Sequence, residues 1–475
     1  MKYSLIIFER HMTKPTINTG LKLILILLFL APHLCAYNQQ KPVYKFQHDD
    51  SLLKTSYFKE ASDQQKKLIS SLGKEFKDDY KYIYESRFKE VSGLLQSNRA
   101  VTDPVAHQYL QSILKKITDV NPELKTLQVR LVFSRDWWPN AYSMGEGTLA
   151  VNAGLMINLN NEAELVFVLC HELAHFYLDH SNKAIRKNVE ALNSAAFKAE
   201  MKRISKQEYN AGKQLDSLVS LVSYGFRRHS RDNEAEADRY AFAFMKRTGY
   251  DCNGILTCLR LLDKIDESNF SKPLVLEQVF NFDDYPFKKK WIQKESMIFG
   301  QMGNDDSPLA QKEKDSLKTH PDCENRIAFL TDSIRAVEAG KIFIVNEPYF
   351  NQLKKDFLVE MTEQLYRDKN LSRNLYYCLL MLQDKENLQF AIYSIARGLN
   401  LAYESQKDHR LGMIVGKEGR EYAADYNLLL RMFDKIRLNE IADLNNFFCR
   451  YYQVLMTGYE GFEEEYSKAR KFKTQ

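Results

Sequence analysis

The chain is poor in the residues that punctuate and staple a fold, with only 19 Gly, 11 Pro and 7 Cys in 475 residues. So few turn formers argue against a many-stranded all-β protein and favour long helices. The cysteines contain no CxxC pair and no metal-cluster spacing, which excludes a disulfide scaffold or a cysteine-built zinc site. An excess of one charge is missing too: 67 Lys+Arg against 62 Asp+Glu gives a formal net charge of +5, which excludes a strongly basic nucleic-acid binder. What is present is 44% hydrophobic and 12% aromatic residues, the composition of a packed globular protein rather than a disordered one. The length allows roughly two to four domains.

A long apolar run is also lacking. The unbroken stretch at 23–31 (Leu-Ile-Leu-Ile-Leu-Leu-Phe-Leu-Ala) is far short of the ~20 apolar residues a membrane span needs. Lys14 and Lys22 precede it and Pro32 to Ala36 follow it. Residues 1–36 therefore read as a secretory signal peptide cut before Tyr37, with Met12 as an alternative start and an uncleaved N-terminal anchor as the competing reading. The expected location is the periplasm, the envelope or outside the cell, with no transmembrane span in the mature chain. Losing that segment removes Lys2, Arg10, Lys14 and Lys22 against Glu9, leaving the rest near neutrality. Cysteines then remain at 170, 252, 258, 323, 378 and 449. A Cys252–Cys258 bridge is open to an exported chain, but such sparse use implies a core that does not depend on bridges.

Residues 57–97 carry apolar positions at helical spacing, for example Leu68, Leu72 and Phe76, in a charge-rich background, and predict amphipathic helices within an N-terminal helical region, 37–100. Asp103-Pro104 opens a helix running to about Ile117. The period then changes: Leu127 to Phe133 reads as a strand, and Thr148 to Asn152 as a second, joined through Trp137, Trp138, Pro139 and the Gly145-Glu146-Gly147 turn. Helical patterning returns at Asn161 and lasts almost to the end. It is interrupted by Gly249, by Pro273 to Pro286 and by Gly300 to Pro308, so 269–318 is a candidate insertion or lid. Residues 341–475 form a helical C-terminal region without a convincing repeat, an ordinary helical domain or a degenerate repeat array. The expected fold class is α+β, predominantly helical, with a small antiparallel sheet.

The chemistry-bearing segment is Val-Leu-Cys-His171-Glu172-Leu-Ala-His175-Phe. Histidines four apart on a helix project from one face, so two ring nitrogens converge on one ion, and Glu172 sits where it can reach a water held there. Val166, Val168, Leu169, Leu173 and Ala174 make this helix too apolar for a solvated surface. A catalytic zinc site needs a third protein ligand. Ser230-Arg231-Asp232-Asn233-Glu234-Ala235-Glu236-Ala237-Asp238 offers one, although alone it reads as an acidic, solvated helix face. Glu234 and Asp238 share a helix face, so Glu234 can bind the ion while Asp238 accepts a hydrogen bond from a ligand histidine.

These features together resemble the HtpX and CAAX prenyl endopeptidase family of gluzincin metallopeptidases, in its soluble, exported branch. The matching residues run in family order: Asn140-Ala141 with the glycine turn and the strand to Gly154-Leu155; Glu162-Ala-Glu164-Leu before the histidine helix; Ser230-Arg231 with Glu234 and Ala237-Asp238-Arg239; Gly249-Tyr250-Asp251; and Thr319-His320-Pro321 followed by Arg326. The resemblance implies a zincin-like domain over 101–340 holding one Zn2+ per chain on His171, His175 and Glu234, with Asp238 behind them and Glu172 as general base. It implies that His320, positioned with help from Arg326, stabilises the oxyanion. It further implies that Asn140, Ala141, Thr148, Leu149, Ala150 and Val151 form the edge strand to which an extended peptide adds. His180 also matches a family histidine, and a structural role is expected for it.

The function expected is a zinc-dependent metalloendopeptidase cutting exported or envelope proteins, Glu172 activating a zinc-bound water. The alternative is an envelope-assembly or chaperone-like factor on the same scaffold, with rare or gated proteolysis and a protein partner on the helical C-terminal region. A pure binding module would have no chemical need for Glu172.

Overall fold

The computed structural model describes residues 44–46, 48–205, 231–265, 273–294, 323–419 and 422–474. The expected signal peptide, His320 with Thr319 and Pro321, and most of the candidate lid lie outside these residues. In chain order the elements are α1 (Ser51–Ser70), α2 (Lys77–Leu95), β1 (Ala100–Val101), α3 (Pro104–Val120), β2 (Arg130–Ser134), β3 (Ala141–Ser143), β4 (Thr148–Asn152) and α4 (Ala153–Met156). They continue with α5 (Glu162–Tyr177), α6 (His180–Asn193), α7 (Ala195–Ser205), α8 (231–245), α9 (Asn253–Ile265), α10 (Leu276–Val279) and α11 (Cys323–Arg335). The C-terminal part contains α12 (Glu347–Arg367), α13 (Leu371–Asp384), α14 (Leu388–Lys407), α15 (Ala424–Lys435), α16 (Leu438–Tyr452) and α17 (Phe462–Lys473). The fold is α+β and predominantly helical. Among the described residues no helix is long and apolar enough to cross a membrane.

Local signals account for several boundaries. Asp103 caps α3 by accepting from the Val105 and Ala106 N–H groups, with Pro104 in the first turn, where its missing N–H costs nothing. Asn161 does the same for α5 through the Glu164 N–H. The described cysteines are all free and buried, so the Cys252–Cys258 bridge does not form.

The sheet has four strands in the order β1-β2-β4-β3. β1 and β3 pair antiparallel with their neighbours, but β2 and β4 run parallel, Arg130 opposite Thr148 and Ser134 opposite Asn152. The expected antiparallel sheet is therefore mixed. The reason is a short strand, β3, that alternation over three residues does not announce. The Trp137-Trp138 loop carries the chain past β4 before β3 turns back, so the glycine turn closes a β3–β4 hairpin rather than a β2–β4 one. Gly147 is required there: its φ is +102° and a Cβ would meet the Gln128 carbonyl oxygen at 2.4 Å. A second correction follows. Thr148, Leu149, Ala150 and Val151 are not an edge, because β4 is flanked on both sides and fully buried; the edge is β3, with Ala141.

α5 is the central helix of the first core. Every residue from Glu162 to Ala174 is buried, so it shows no polar face to solvent. Around it pack α3, the sheet, α8, α9, α11 and much of α12. Leu165, Val166, Phe167 and Leu169 are each at most 1% exposed, and burial of side chains of this size contributes about 1.5–3 kcal/mol apiece. The helix's polar start is fully partnered. The Glu162 carboxylate accepts from Tyr109 Oη (3.0 Å), Tyr250 Oη (2.9 Å) and the N–H groups of Ile344, Val345 and Asn346 (2.7–2.8 Å). The segment leading into α12 is thus pinned to the start of α5.

A second core is formed by α13 to α17 together with Leu274, Leu276, Val279, Phe280, Phe282, Tyr285 and Trp291. The described part of the candidate lid is therefore built into this core: the Leu274 N–H bonds Asp425 at 2.7 Å and Trp291 Nε1 bonds Glu440 at 3.2 Å. α12 belongs to both cores. Phe350, Leu353, Phe357, Met361 and Leu365 face the first, and Val359 the second.

Candidate active site

α5 and α8 bring the site together. One turn separates His171 from His175 on α5 and Glu234 from Asp238 on α8, and α8 is held against the core by Ala237, Ala241, Phe244 and Met245. His171 Nε2 and His175 Nε2 lie 3.1 Å apart, and each is 3.4 Å from a different oxygen of Glu234. Ligands at zinc–nitrogen and zinc–oxygen distances of about 2.0–2.2 Å in a tetrahedron are separated by roughly 3.3 Å. The donor set and its spacing therefore fit a single zinc ion. Glu234 Oε2 is buried without a hydrogen bond among the described residues, 3.4 Å from His171 Nε2 and 3.3 Å from Arg326 Nη1, so it keeps a lone pair that a metal could use. Among these residues His171, His175 and Glu234 are the group able to hold a metal.

Behind them lies a hydrogen-bonded support. His171 Nδ1 donates to Asp238 Oδ1 at 2.9 Å, and Asp238 in turn accepts from Arg326 Nε (2.6 Å) and Nη2 (2.7 Å). Arg326, expected to assist His320, thus makes a bidentate pair with the fully buried Asp238 and stands 3.3 Å from Glu234. Burial alone would lower the His171 pKa, but its bond to Asp238 and the nearby Glu234 carboxylate push it up to about 10. The same negative field that favours a proton there favours a divalent cation. Glu234 and Asp238 are held below the ordinary carboxylate range although burial opposes it, Glu234 by the two imidazoles and Asp238 chiefly by Arg326.

Glu172 points to the cleft. Burial pushes its carboxyl up from the ordinary range, and the imidazoles and the Ser143 N–H, which donates to Oε2 at 2.7 Å, pull it partly back. A carboxylate with a raised pKa is a better proton acceptor near neutrality. The Ser143 bond also shows how β3 is turned. Asn140 and Met144 bond β4 through their backbone, so by antiparallel alternation Ala141 and Ser143 present their backbone groups to the cleft. The cleft, about 290 Å³, is lined by this strand, the three candidate ligands, Glu172, His180, Ser181 and Asn233. A small apolar recess beside Glu172 is lined by Ala141, Leu155, Phe167, Val168 and Leu262.

Two contacts went unread in the sequence. His180 Nδ1 lies 2.9 Å from His175 Nδ1, and His180 Nε2 lies 3.1 Å from Glu236 Oε2. Leu178 ends α5, and Asp179 in the left-handed region (φ 56°) starts α6, a reversal tight enough to return His180 to the end of the histidine helix. Burial and the neighbouring His175 hold His180 below the ordinary imidazole value. The five-residue spacing from His175 was visible in the sequence; the left-handed turn that gives it meaning was not.

The family model described as peptidase family M48 matches residues 104–334. Similar proteins include the metalloprotease YcaL of Escherichia coli strain K12, 31% identical over 129 residues, which are 27% of this chain and 48% of that protein. The metalloprotease LoiP of the same strain is 28% identical over 149 residues, 31% of this chain and 53% of that protein. The beta-barrel assembly-enhancing protease of that strain is 25% identical over 179 residues, 36% of this chain and 35% of that protein. The chain thus spans about half or less of the length of these relatives.

Proposed function

We propose, from the match of residues 104–334 to the model of peptidase family M48, that the protein is a zinc-dependent metalloendopeptidase acting on extended segments of exported or envelope proteins. The observation that carries the reading is the convergence of His171 Nε2, His175 Nε2 and both Glu234 oxygens beside the Glu172 carboxylate. Zinc in that cluster supplies the Lewis-acid charge that makes hydroxide available from water near neutral pH. The chain's own groups do the rest. The cleft-facing backbone of Ala141 and the Ser143 carbonyl pair with the substrate as an added strand, the Ser143 N–H staying on Glu172. Glu172 accepts the proton of the attacking water and passes it to the leaving amine. Arg326 holds Asp238, and Asp238 holds His171 in the tautomer whose Nε2 is free to bind metal. His320 is the proposed donor to the oxyanion.

Export rests on the leader-like residues 1–36, and an envelope substrate is supported by the name of one relative, the beta-barrel assembly-enhancing protease. The division into 37–100, 101–340 and 341–475 remains part of this proposal, with the last segment holding the client protein. The test is zinc stoichiometry together with digestion of casein, wild type against Glu172→Gln. Wild type should carry one zinc and digest casein until chelated, and the variant should keep zinc and lose digestion. Proteolysis surviving in purified Glu172→Gln protein overturns the mechanism; a metal-free wild type overturns the site.

A further inference from the structure

His171 leans on a carboxylate, but His175 leans on another histidine. Two ring nitrogens 2.9 Å apart share one proton, one donating and the other accepting. The neighbour of His180 on its far side decides which. Glu236 Oε2 is 3.1 Å from His180 Nε2 and can only accept, so the His180 proton sits on Nε2 and its Nδ1 is an acceptor. His175 then donates from Nδ1 and carries its lone pair on Nε2, the atom 3.4 Å from Glu234. We infer that His180 and Glu236 are positioning residues that fix the tautomer and aim of His175, a two-bond relay from a surface carboxylate to the metal cluster.

His180 is itself no ligand in this arrangement, since both its nitrogens are engaged. Its side chain is 5% exposed, whereas the Glu236 side chain is 46% exposed. The relay thus has one end in the wall of the cleft and the other in solvent, where it can be altered without touching the core. The inference rests on the proposed zinc site and goes beyond it.

The experiment measures zinc affinity of the full chain by competition with a chromophoric chelator, and the visible spectrum of the cobalt-substituted protein. Four variants are compared. His180→Phe keeps the ring shape and removes the acceptor; His180→Asn restores an acceptor at the Nδ1 position. Glu236→Gln keeps an acceptor for Nε2; Glu236→Lys places a donor there and forces two N–H groups to face each other at His175. His180→Phe and Glu236→Lys should weaken zinc binding about 10- to 100-fold and shift the cobalt spectrum, while His180→Asn and Glu236→Gln stay within about threefold of wild type. Wild-type affinity in folded His180→Phe or in Glu236→Lys overturns the relay, as does His180→Asn no better than His180→Phe. If His180→Phe does not fold, Glu236→Lys decides. A wild type that binds no zinc instead sinks the proposed function, so the two failures are distinct.

Discussion

At the residue scale the site depends on what surrounds each titrating group rather than on the groups alone. Glu172 is fully inside the wall of the cleft, its pKa raised by burial, with one N–H, that of Ser143, holding it towards the cluster. Under the proposed mechanism, removing its charge while keeping its shape removes the proton acceptor alone. Glu172→Gln is therefore expected to lower kcat by about 10²–10⁴-fold, the usual weight of general acid–base catalysis, with zinc content unchanged by metal analysis. The pairs His171–His175 and Glu234–Asp238 were legible in sequence because a helix puts residues four apart on one face. That the two helices meet follows from packing of Ala237, Ala241 and Phe244, which spacing does not disclose. The role of His180 was illegible for a different reason: it depends on the φ of one residue, Asp179, and on which ring nitrogens meet across a turn.

At the scale of elements the edge strand matters most. β3 is three residues long, with its backbone alternating between β4 and the cleft. Ala141→Pro removes a cleft-facing N–H and spares the hydrogen bonds to β4, as proline is tolerated on an outward edge. It should raise KM for a peptide substrate about tenfold, the equivalent of one lost hydrogen bond of about 1.4 kcal/mol, while zinc affinity stays at the wild-type value; equal loss in Kd for zinc would show that the strand had collapsed. The β2–β4 parallel pairing could not be read from the sequence, since period-two alternation marks a strand but not its neighbours.

A second element-scale prediction concerns acid. Glu440, near the start of α16, sits among Lys288, Lys290, Trp291 and the Arg437 N–H. Burial would raise its pKa, but these partners bring it down to about 2. A carboxylate lowered in the fold stabilises it above the unfolded value of about 4.3 and loses that contribution as pH falls towards the folded value. The urea midpoint of wild type should therefore drop more steeply between about pH 4.5 and 2 than that of Glu440→Gln. Parallel curves for the two proteins would remove Glu440 from the acid response.

At the scale of the whole molecule a buried carboxylate on the histidine helix ties distant segments together. Glu162 gathers two tyrosine hydroxyls and three backbone N–H groups. Glu162→Leu strands all five donors, each costing about 1–3 kcal/mol when left unpaired and dry. The variant should lose at least about 3 kcal/mol in urea unfolding, a result that an ordinary surface acid would not give. Glu162 stood out in the sequence only as part of a family pattern. Its five partners come from residues 53 to 184 positions away, beyond any local reading. The division near 340 was read from a change in composition, and composition cannot show that a helix after the division buries its apolar face before it.

That helix, α12, also governs how the protein yields to heat. Phe350, Phe357 and Leu365 are bedded in one half while Val359 is bedded in the other, so neither half can melt and leave its neighbour's interior dry. A calorimeter should record a single endotherm whose van't Hoff and measured enthalpies agree, the mark of one cooperative unit. Two resolved peaks would mean that the shared helix is only leaning on one side. If, as the single endotherm would show, the two halves move as one, a client held by α13 to α17 under the proposed function would meet the cleft at a set distance, as work clamped to the same bench as the blade.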